Sequence, residues 1–264
     1  RMGILAEYLA TCEASGFVTG NFSPAGGRMY FTEENARRID GARARLHEWH
    51  RAGLLGDDAY YLLLASVIEG ADRVANTAGV YAAYIKRWQP NALRTFAAVP
   101  ERPVRGAGSV AHCGDAADVA RRLGPVDLLY VDPPYNARQY SGYYHVPEIL
   151  ARGWFGERPP ALRGKTGLLA EPVPRSAWCS ARRVRGALRE LLAATGARHV
   201  LVSYNSEGLL PSAALREELG TASADGKVRQ FVRRYPRYRS DSDGPRRRYR
   251  GTEVRELLYC VRLR

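Results

Sequence analysis

Two rhythms of apolar and polar positions divide the chain. Over about residues 1 to 100 the apolar residues recur every three or four positions, the period of helices that bury one face. Thr32 precedes Glu33 and Glu34 and an apolar stripe through Ile39 and Leu46 to Trp49. A hydroxyl that can accept from the first free N–H groups, followed by acids at the positive end of the helix dipole, predicts a helix start there. Asp57 reads as the cap of a second helix, with Tyr61, Leu64, Ala65 and Ile68 on its buried face. Asn76-Thr77-Ala78-Gly79 breaks the pattern, Val80 to Trp88 predicts a further short helix, and Pro90, Pro100 and Pro103 mark a linker.

From about residue 107 strands and helices alternate. Ser109 to Cys113 predicts a short strand and Asp115 to Arg122 a helix. Val126-Asp127-Leu128-Leu129-Tyr130-Val131 is an apolar run of the kind buried on both faces of a parallel sheet, and it stops at Asp132-Pro133-Pro134. A helix from about Ser176 to Thr195 leads into a strand from His199 to Tyr204, and another helix follows near Ser212 to Leu219. Two longer strands, about Val228 to Tyr238 and Glu253 to Leu263, flank an arginine-rich loop and predict a hairpin. The fold class is therefore α/β. A mostly helical block over 1–105 precedes an α/β part over 106–264 that ends in the β-hairpin, and no internal repeat is visible.

Composition narrows the function classes. At 264 residues with 45% hydrophobic content the chain can bury a sizeable core. No run approaches the ~18 consecutive apolar residues of a membrane helix, and no secretory signal pattern opens the chain, so a cytoplasmic protein is expected. Cys12, Cys113, Cys179 and Cys260 are far apart and show no paired ligand spacing, which predicts reduced core cysteines and no metal. The net charge of +13 favours a polyanionic partner. Only Lys86, Lys165 and Lys227 are lysines, however, and an arginine- and alanine-rich composition is also what a GC-rich genome imposes.

Asp132-Pro133-Pro134-Tyr135 carries the clearest chemistry. It stands at the carboxyl end of a predicted strand, where open α/β sheets bind ligands. Two prolines fix φ and remove two backbone donors, so the loop offers a carboxylate and rigid carbonyls, all acceptors. Such acceptors would grip the two hydrogens of an exocyclic amine and favour the pyramidal nitrogen that attacks a methyl group. An aromatic face at Tyr135 would replace the stacking an extruded base loses, roughly 1 to 3 kcal/mol. The plainer alternative is a turn that opens with Asp and closes with an apolar Tyr.

The segment from Leu129 to Tyr140, with Tyr144-His145-Val146-Pro147-Glu148 after it, resembles the catalytic motif and flanks of the Dam-like class of adenine-specific DNA methyltransferases. Asn21-Phe22-Ser23-Pro24, the stretch Arg28 to Ala36, Val74 to Tyr81 and Val202 to Gly208 extend the resemblance in family order. It implies a Rossmann-like methyltransferase sheet, S-adenosylmethionine as cofactor, and methyl transfer to the exocyclic amine of an adenine flipped out of double-stranded DNA. Asp132, Pro133, Pro134 and Tyr135 are then catalytic and Asp132 also borders the cofactor. Asp115 is either the acidic position near the cofactor's adenine or a helix cap. The turn with Tyr204 and Asn205 either lines the same pocket or is only a turn. Arg138 and Tyr140 are placed to hold the target strand, and 1–105 becomes the DNA-recognition region. Arg233 and Arg234 before the arginine-rich loop, and Arg246 and Arg248 at its end, clamp phosphates or are merely solvated. Arg43, Arg45, Lys86 and Arg87 face the same choice, with solvated surface the plainer reading. Members of this class carry a glycine-rich Phe-x-Gly-x-Gly turn near the N-terminus; this chain opens at Arg1 without one and reads as N-terminally incomplete. A monomer, with a cognate restriction endonuclease as partner, completes the expectation. The alternatives are methylation of RNA adenine or of a protein glutamine, and a DNA-binding remnant without chemistry.

Overall fold

A computed structural model describes residues 2–102, 106, 108–173, 175–236 and 253–263. In chain order its helices are α1 (Met2–Thr11), α2 (Phe17–Phe22), α3 (Glu33–Arg51), α4 (Asp57–Arg73), α5 (Ala116–Leu123), α6 (Tyr140–Tyr143), α7 (His145–Arg152), α8 (Val184–Ala194) and α9 (Ser212–Ala222). The strands are β1 (Pro125–Val131), β2 (Leu162–Arg163), β3 (Leu168–Leu169), β4 (Gly196–Asn205), β5 (Arg229–Pro236) and β6 (Glu253–Arg262). The chain divides into two compact units, Arg1–Gly106 with Tyr140–Val173 and Ala107–Gln139 with Pro174–Arg264. The first unit is thus discontinuous: it takes in α6, α7 and the small β2–β3 pair, all of which lie in sequence beyond residue 106.

In the first unit α3 starts where the sequence predicts, with Thr32 Oγ1 accepting from Asn35 N at 3.2 Å and Glu33 and Glu34 in the first turn. Ala36, Ile39, Ala42 and Leu46 bury its apolar stripe in a core shared with Leu9, Phe22, Leu63, Val67 and Ile149. Asp40, also buried, accepts from the N–H groups of Gly16, Val18 and Thr19 at 2.8 to 3.0 Å and from the Thr19 hydroxyl at 2.7 Å. A carboxylate on α3 therefore caps α2, whose own N-cap, Gly16, has no side chain to do it. Burial pushes the Asp40 pKa up, and the four donors work against that push.

Three sequence expectations change in this unit. Gly56, not Asp57, stands at the N-cap of α4, and Asp57 is instead in the first turn. The buried face of α4 is Tyr60, Leu63, Leu64, Val67 and Ala71, whereas Tyr61 is 61% exposed and Ala65 is exposed. Two phases of the apolar pattern overlap on this helix, and packing against α3 selects the one that holds Leu63 and Val67. Val80 to Trp88 forms no helix. Asn76 takes its backbone instead: Asn76 O accepts from Ile85 N, Oδ1 accepts from Gln89 N, and Nδ2 donates to Met29 O and Ile85 O, all at 2.8 to 3.0 Å. Arg43, expected at the surface, is 1% exposed; its Nε donates to Leu150 O at 2.8 Å and its guanidinium lies 5.1 Å from the Phe155 ring centre. It closes the C-terminal end of α7.

In the second unit the described strands form one sheet in the order β1-β4-β6-β5. β1 and β4 are parallel, with Val131 beside Val202; β6 runs antiparallel to both β4 and β5, so the predicted hairpin strands pair. One face carries Val131, Val200, Val202, Tyr204, Leu257, Tyr259 and Val261, buried under Ala120 of α5, Leu188 and Leu191 of α8 and Leu215 and Leu219 of α9. The register sends Val126, Leu128 and Tyr130 to the other face, where they are 37%, 53% and 57% exposed, with Phe231 and Tyr235 of β5 exposed on the same side. β1 is therefore buried on one face and not two: all three helices of the unit cover the same side, and β4 is its only neighbour among the described residues. Ser109 to Cys113 is exposed and forms no strand, because no neighbouring backbone among the described residues pairs with it. The helix expected from Ser176 is a single 3-10 turn, Ala177–Cys179, followed by α8 from Val184. Ser176 is held elsewhere, its N–H donating to Gln139 Oε1 at 2.8 Å, while Cys179 Sγ donates to Arg138 O at 3.3 Å. The arginine-rich loop between β5 and β6, with Arg246 and Arg248, lies outside the described residues, as does Pro103.

The phase of α4 can be tested by urea unfolding: Leu63→Ala should cost about 2 to 5 kcal/mol, and Tyr61→Ala less than about 0.5 kcal/mol. A second test concerns Glu218 on α9, whose carboxylate accepts from Arg189 and Arg185, which pull its pKa from 4.5 down to about 2. A pKa depressed by folding contributes stability above the ordinary carboxylate value and loses it as pH falls towards 2. The melting temperature should therefore drop across that window, and Glu218→Gln should flatten the drop.

Candidate active site at the ends of two parallel strands

Because β1 and β4 run parallel, their carboxyl ends lie side by side, and the segment after each strand faces the same space. After β1 comes Asp132-Pro133-Pro134-Tyr135; after β4 comes the turn from Asn205 to Gly208. The two are tied together, with Leu209 N donating to Tyr135 O at 3.0 Å. Tyr204, the penultimate residue of β4, is 2% exposed, and its hydroxyl accepts from Leu210 N at 2.9 Å. Its ring meets Tyr135 edge-on, with centres 5.6 Å apart and planes at 83°. A Cβ on Gly208 would lie 2.1 Å from that ring, so only glycine lets the turn close over Tyr204.

The Tyr135 hydroxyl donates to Asp132 Oδ1 at 2.7 Å. Burial, then the bond to Asp132, push the Tyr135 pKa up to about 12, with a bond from Ser203 working against them. The hydroxyl thus keeps its hydrogen at neutral pH and fixes one oxygen of the carboxylate. Asp132 itself is exposed, Pro133 is buried and Pro134 and Tyr135 are half-buried. Glu256, opposite Asn205 on β6, is a second carboxyl at this rim; burial first and the charge of Asp132 second raise its pKa.

Beside the loop is a cavity of about 420 Å³. Asp132, Pro133 and Pro134 form one wall, and Val119, Leu191 and Trp178 line the apolar remainder. Gly114 and Ala116 reach it too, while Asp115 between them caps α5, its Oδ1 accepting from Ala117 N at 2.9 Å and Asp118 N at 3.4 Å.

The other residues expected at the site differ in exposure and in what they engage. Tyr204 is buried behind Tyr135 in the core, and Asn205 Oδ1 is engaged with Glu207 N at 3.0 Å, shaping the turn. Arg138 is exposed, with its N–H on Asn136 Oδ1 at 2.9 Å. Tyr140 opens α6 in the first unit. Arg233 and Arg234 are exposed on β5, which the sheet order sets three strand spacings, about 14 Å, from β1. No local sequence signal marks Glu256 or Trp178. Only strand register exposes the first, and the second lies in a stretch whose pattern reads as helix.

The sequence pattern of the family described as D12 class N6 adenine-specific DNA methyltransferase matches residues 13–158. The chain is 34% identical over 235 residues to the type II methyltransferase M.NlaIII of Neisseria lactamica, covering 89% of this chain and 67% of that protein. It is 34% identical over 248 residues to M.CviAII of Paramecium bursaria Chlorella virus 1, covering 93% and 70%. Against M.FokI of Planomicrobium okeanokoites the identity is 33% over 252 residues, 93% of this chain but only 37% of that protein. No solved structure matches. With an acceptor loop at a strand end and a cavity beside it, the fold is that of a methyltransferase. The chain belongs to the D12 class of N6 adenine-specific DNA methyltransferases, a family whose members use S-adenosylmethionine. Among the described residues no helix is long and apolar enough to cross a membrane.

If Tyr135 works through its ring, Tyr135→Phe should keep methyl transfer to within about tenfold, the worth of one hydrogen bond. Tyr135→Ala should lose about 100-fold or more and weaken extrusion, read with a fluorescent adenine analogue at the target position. Equal behaviour of the two variants would remove stacking as the role.

Proposed function

We propose that this chain methylates the exocyclic amine of a flipped adenine at a specific site in double-stranded DNA, as the modification half of a restriction-modification system. The observation that carries the reading is the Asp132 carboxylate, oriented by Tyr135 at the end of β1, in a chain of this family. With Oδ1 taken by the Tyr135 hydroxyl, Oδ2 is the oxygen turned to the amine. It and the carbonyl of a proline that can offer no competing N–H accept the two amine hydrogens and favour a nitrogen lone pair free to attack. The Tyr135 ring, braced edge-on by Tyr204, supplies the face on which the extruded base stacks.

The cavity beside the loop fits S-adenosylmethionine. Its volume falls in the range of about 300 to 1,000 Å³ typical of such pockets, with apolar walls and few polar groups. When bound there, the cofactor supplies an electrophilic methyl group. Trp178, Val119 and Leu191 would hold its flat apolar part and Asp132 would border it. Asp115 serves it indirectly, by fixing the start of α5 from which Ala116 and Val119 reach the cavity.

Arg138 and Tyr140, next in sequence after the catalytic loop, are assigned to the target strand, and Arg233, Arg234, Arg246 and Arg248 to the phosphate backbone. The helical block over 1–105 reads the recognition sequence. The protein works as a cytoplasmic monomer alongside a cognate endonuclease. Support for the DNA reading comes from the description of the family and from the net charge of +13.

Transfer of labelled methyl from S-adenosylmethionine to unmethylated duplex DNA, with ribosomal RNA and protein as parallel substrates, tests the reading. Asp132→Ala should lower the rate by about 100-fold or more while leaving duplex binding largely intact. Retained turnover in that variant, or label in RNA or protein instead of DNA, would overturn it.

A further inference from the structure

The β2–β3 hairpin is the smallest element of the first unit, yet its tip is held by three side chains from distant parts of the chain. Arg28 Nε donates to Lys165 O at 3.0 Å and its NH2 nitrogen to Gly164 O at 3.1 Å. The Tyr30 hydroxyl shares its one hydrogen between Tyr81 O at 2.7 Å and Thr166 O at 3.0 Å, and the Nε2 of buried His145 lies 2.8 Å from the Thr166 oxygen. Burial lowers the His145 pKa, so the ring is neutral and Nε2–H is the donor to that carbonyl. Three successive carbonyls are thereby turned inward.

In a trans peptide the N–H points opposite to the carbonyl of the same plane. Pinning the carbonyls of Gly164 and Lys165 therefore turns the N–H groups of Lys165 and Thr166 outward. Gly167 N closes the turn on Gly164 O at 3.3 Å. Among the described residues the N–H groups of Lys165 and Thr166 meet no protein acceptor. Gly164 and Gly167 have φ of 71° and 72°, and a Cβ on Gly167 would lie 2.9 Å from the Phe22 ring, so the shape is built for glycine at both ends. Adjacent outward N–H groups in such a turn make an anion-binding concavity. The charge agrees. Arg38, Arg73, Arg121 and Arg152 each have a carboxylate partner, but among the described residues none pairs with Arg28, Arg163 or Lys165.

We propose that the Gly164–Gly167 tip is a phosphate seat for the DNA backbone, formed by the N–H groups of Lys165 and Thr166 with the Lys165 ammonium, and that Arg28, Tyr30 and His145 are positioning residues that hold it open. The proposal rests on the reading of duplex DNA as substrate and adds where one strand is gripped. It also gives a shared task to segments around Arg28 and His145 that the catalytic loop does not use.

The test is the affinity of the whole chain for a short duplex across a potassium chloride series. Lys165→Gln should flatten the slope of log affinity against log salt by about 0.9, one phosphate contact, at an unchanged melting temperature. Lys227→Gln, which removes the same charge from the other unit, should leave the slope as it was. A second arm follows the melting temperature in potassium phosphate against chloride at equal ionic strength. A Lys165→Gln slope equal to that of the unsubstituted chain overturns the proposal; if the variant nonetheless loses a stabilisation by inorganic phosphate, the seat serves a free anion and not DNA. Failure of the unsubstituted chain to bind duplex at all would instead sink the parent reading, and this one with it.

Discussion

The parallel pairing of β1 with β4 is the constraint on which the candidate site depends. A loop of Asp-Pro-Pro-Tyr has no N–H on its two prolines and cannot tie itself to the sheet by its own donors. Its anchors come from the neighbour: Leu209 N on the Tyr135 carbonyl, the Tyr204 ring against Tyr135, and Ser203 on the Tyr135 hydroxyl. Each is in reach because the register sets Val131 beside Val202, so the first residues past β1 come level with the last residues of β4. A slip of one residue would send Tyr204 to the opposite face and leave the loop an unsupported turn. The rigidity that makes the carboxylate a preorganised acceptor is thus borrowed from the strand next door.

The first unit is organised differently, by polar side chains that must find partners once buried. Asn35 donates to Ala92 O and Arg94 O and accepts from Phe96 N, fixing one irregular stretch; Asn76 fixes another. Asp40 caps a helix some twenty residues before it. These residues convert stretches without regular structure into defined surfaces, and the latch on the β2–β3 tip is the same device applied to a hairpin too short to be stable alone.

This explains which parts of the fold were legible in the sequence. The start of α3, the strand ahead of Asp132 and the paired strands of the C-terminal hairpin follow from local signals: a cap, an apolar run, a turn-flanked alternation. What was not legible depends on partners far along the chain. The apolar residues of α4 fit two phases, and only packing against α3 chooses. Val80 to Trp88 has a helical pattern, but Asn76 claims its backbone. Arg43 resembles any surface arginine until Leu150 O and the Phe155 ring surround it. In the site, Asp132 and Tyr135 declare themselves by residue type and order, whereas Glu256 is brought to the rim by strand register alone, and Tyr204, aromatic and next to a turn, gives no sign that it braces a ring.

The uncovered face of the sheet carries a consequence for how the protein behaves in bulk. Val126, Leu128 and Tyr130 at one edge of it, and Phe231 and Tyr235 at the other, are exposed oily side chains of the kind that makes molecules adhere. At low ionic strength the net charge of +13 holds copies apart, but that repulsion reaches only about 10 Å at 0.1 M salt and about 3 Å at 1 M. Adding salt therefore removes the barrier while leaving the stickiness in place. The same ions that loosen a basic protein from nucleic acid bring its own copies together, so its colloidal optimum lies at modest salt, where neither the polyanion nor the neighbour wins.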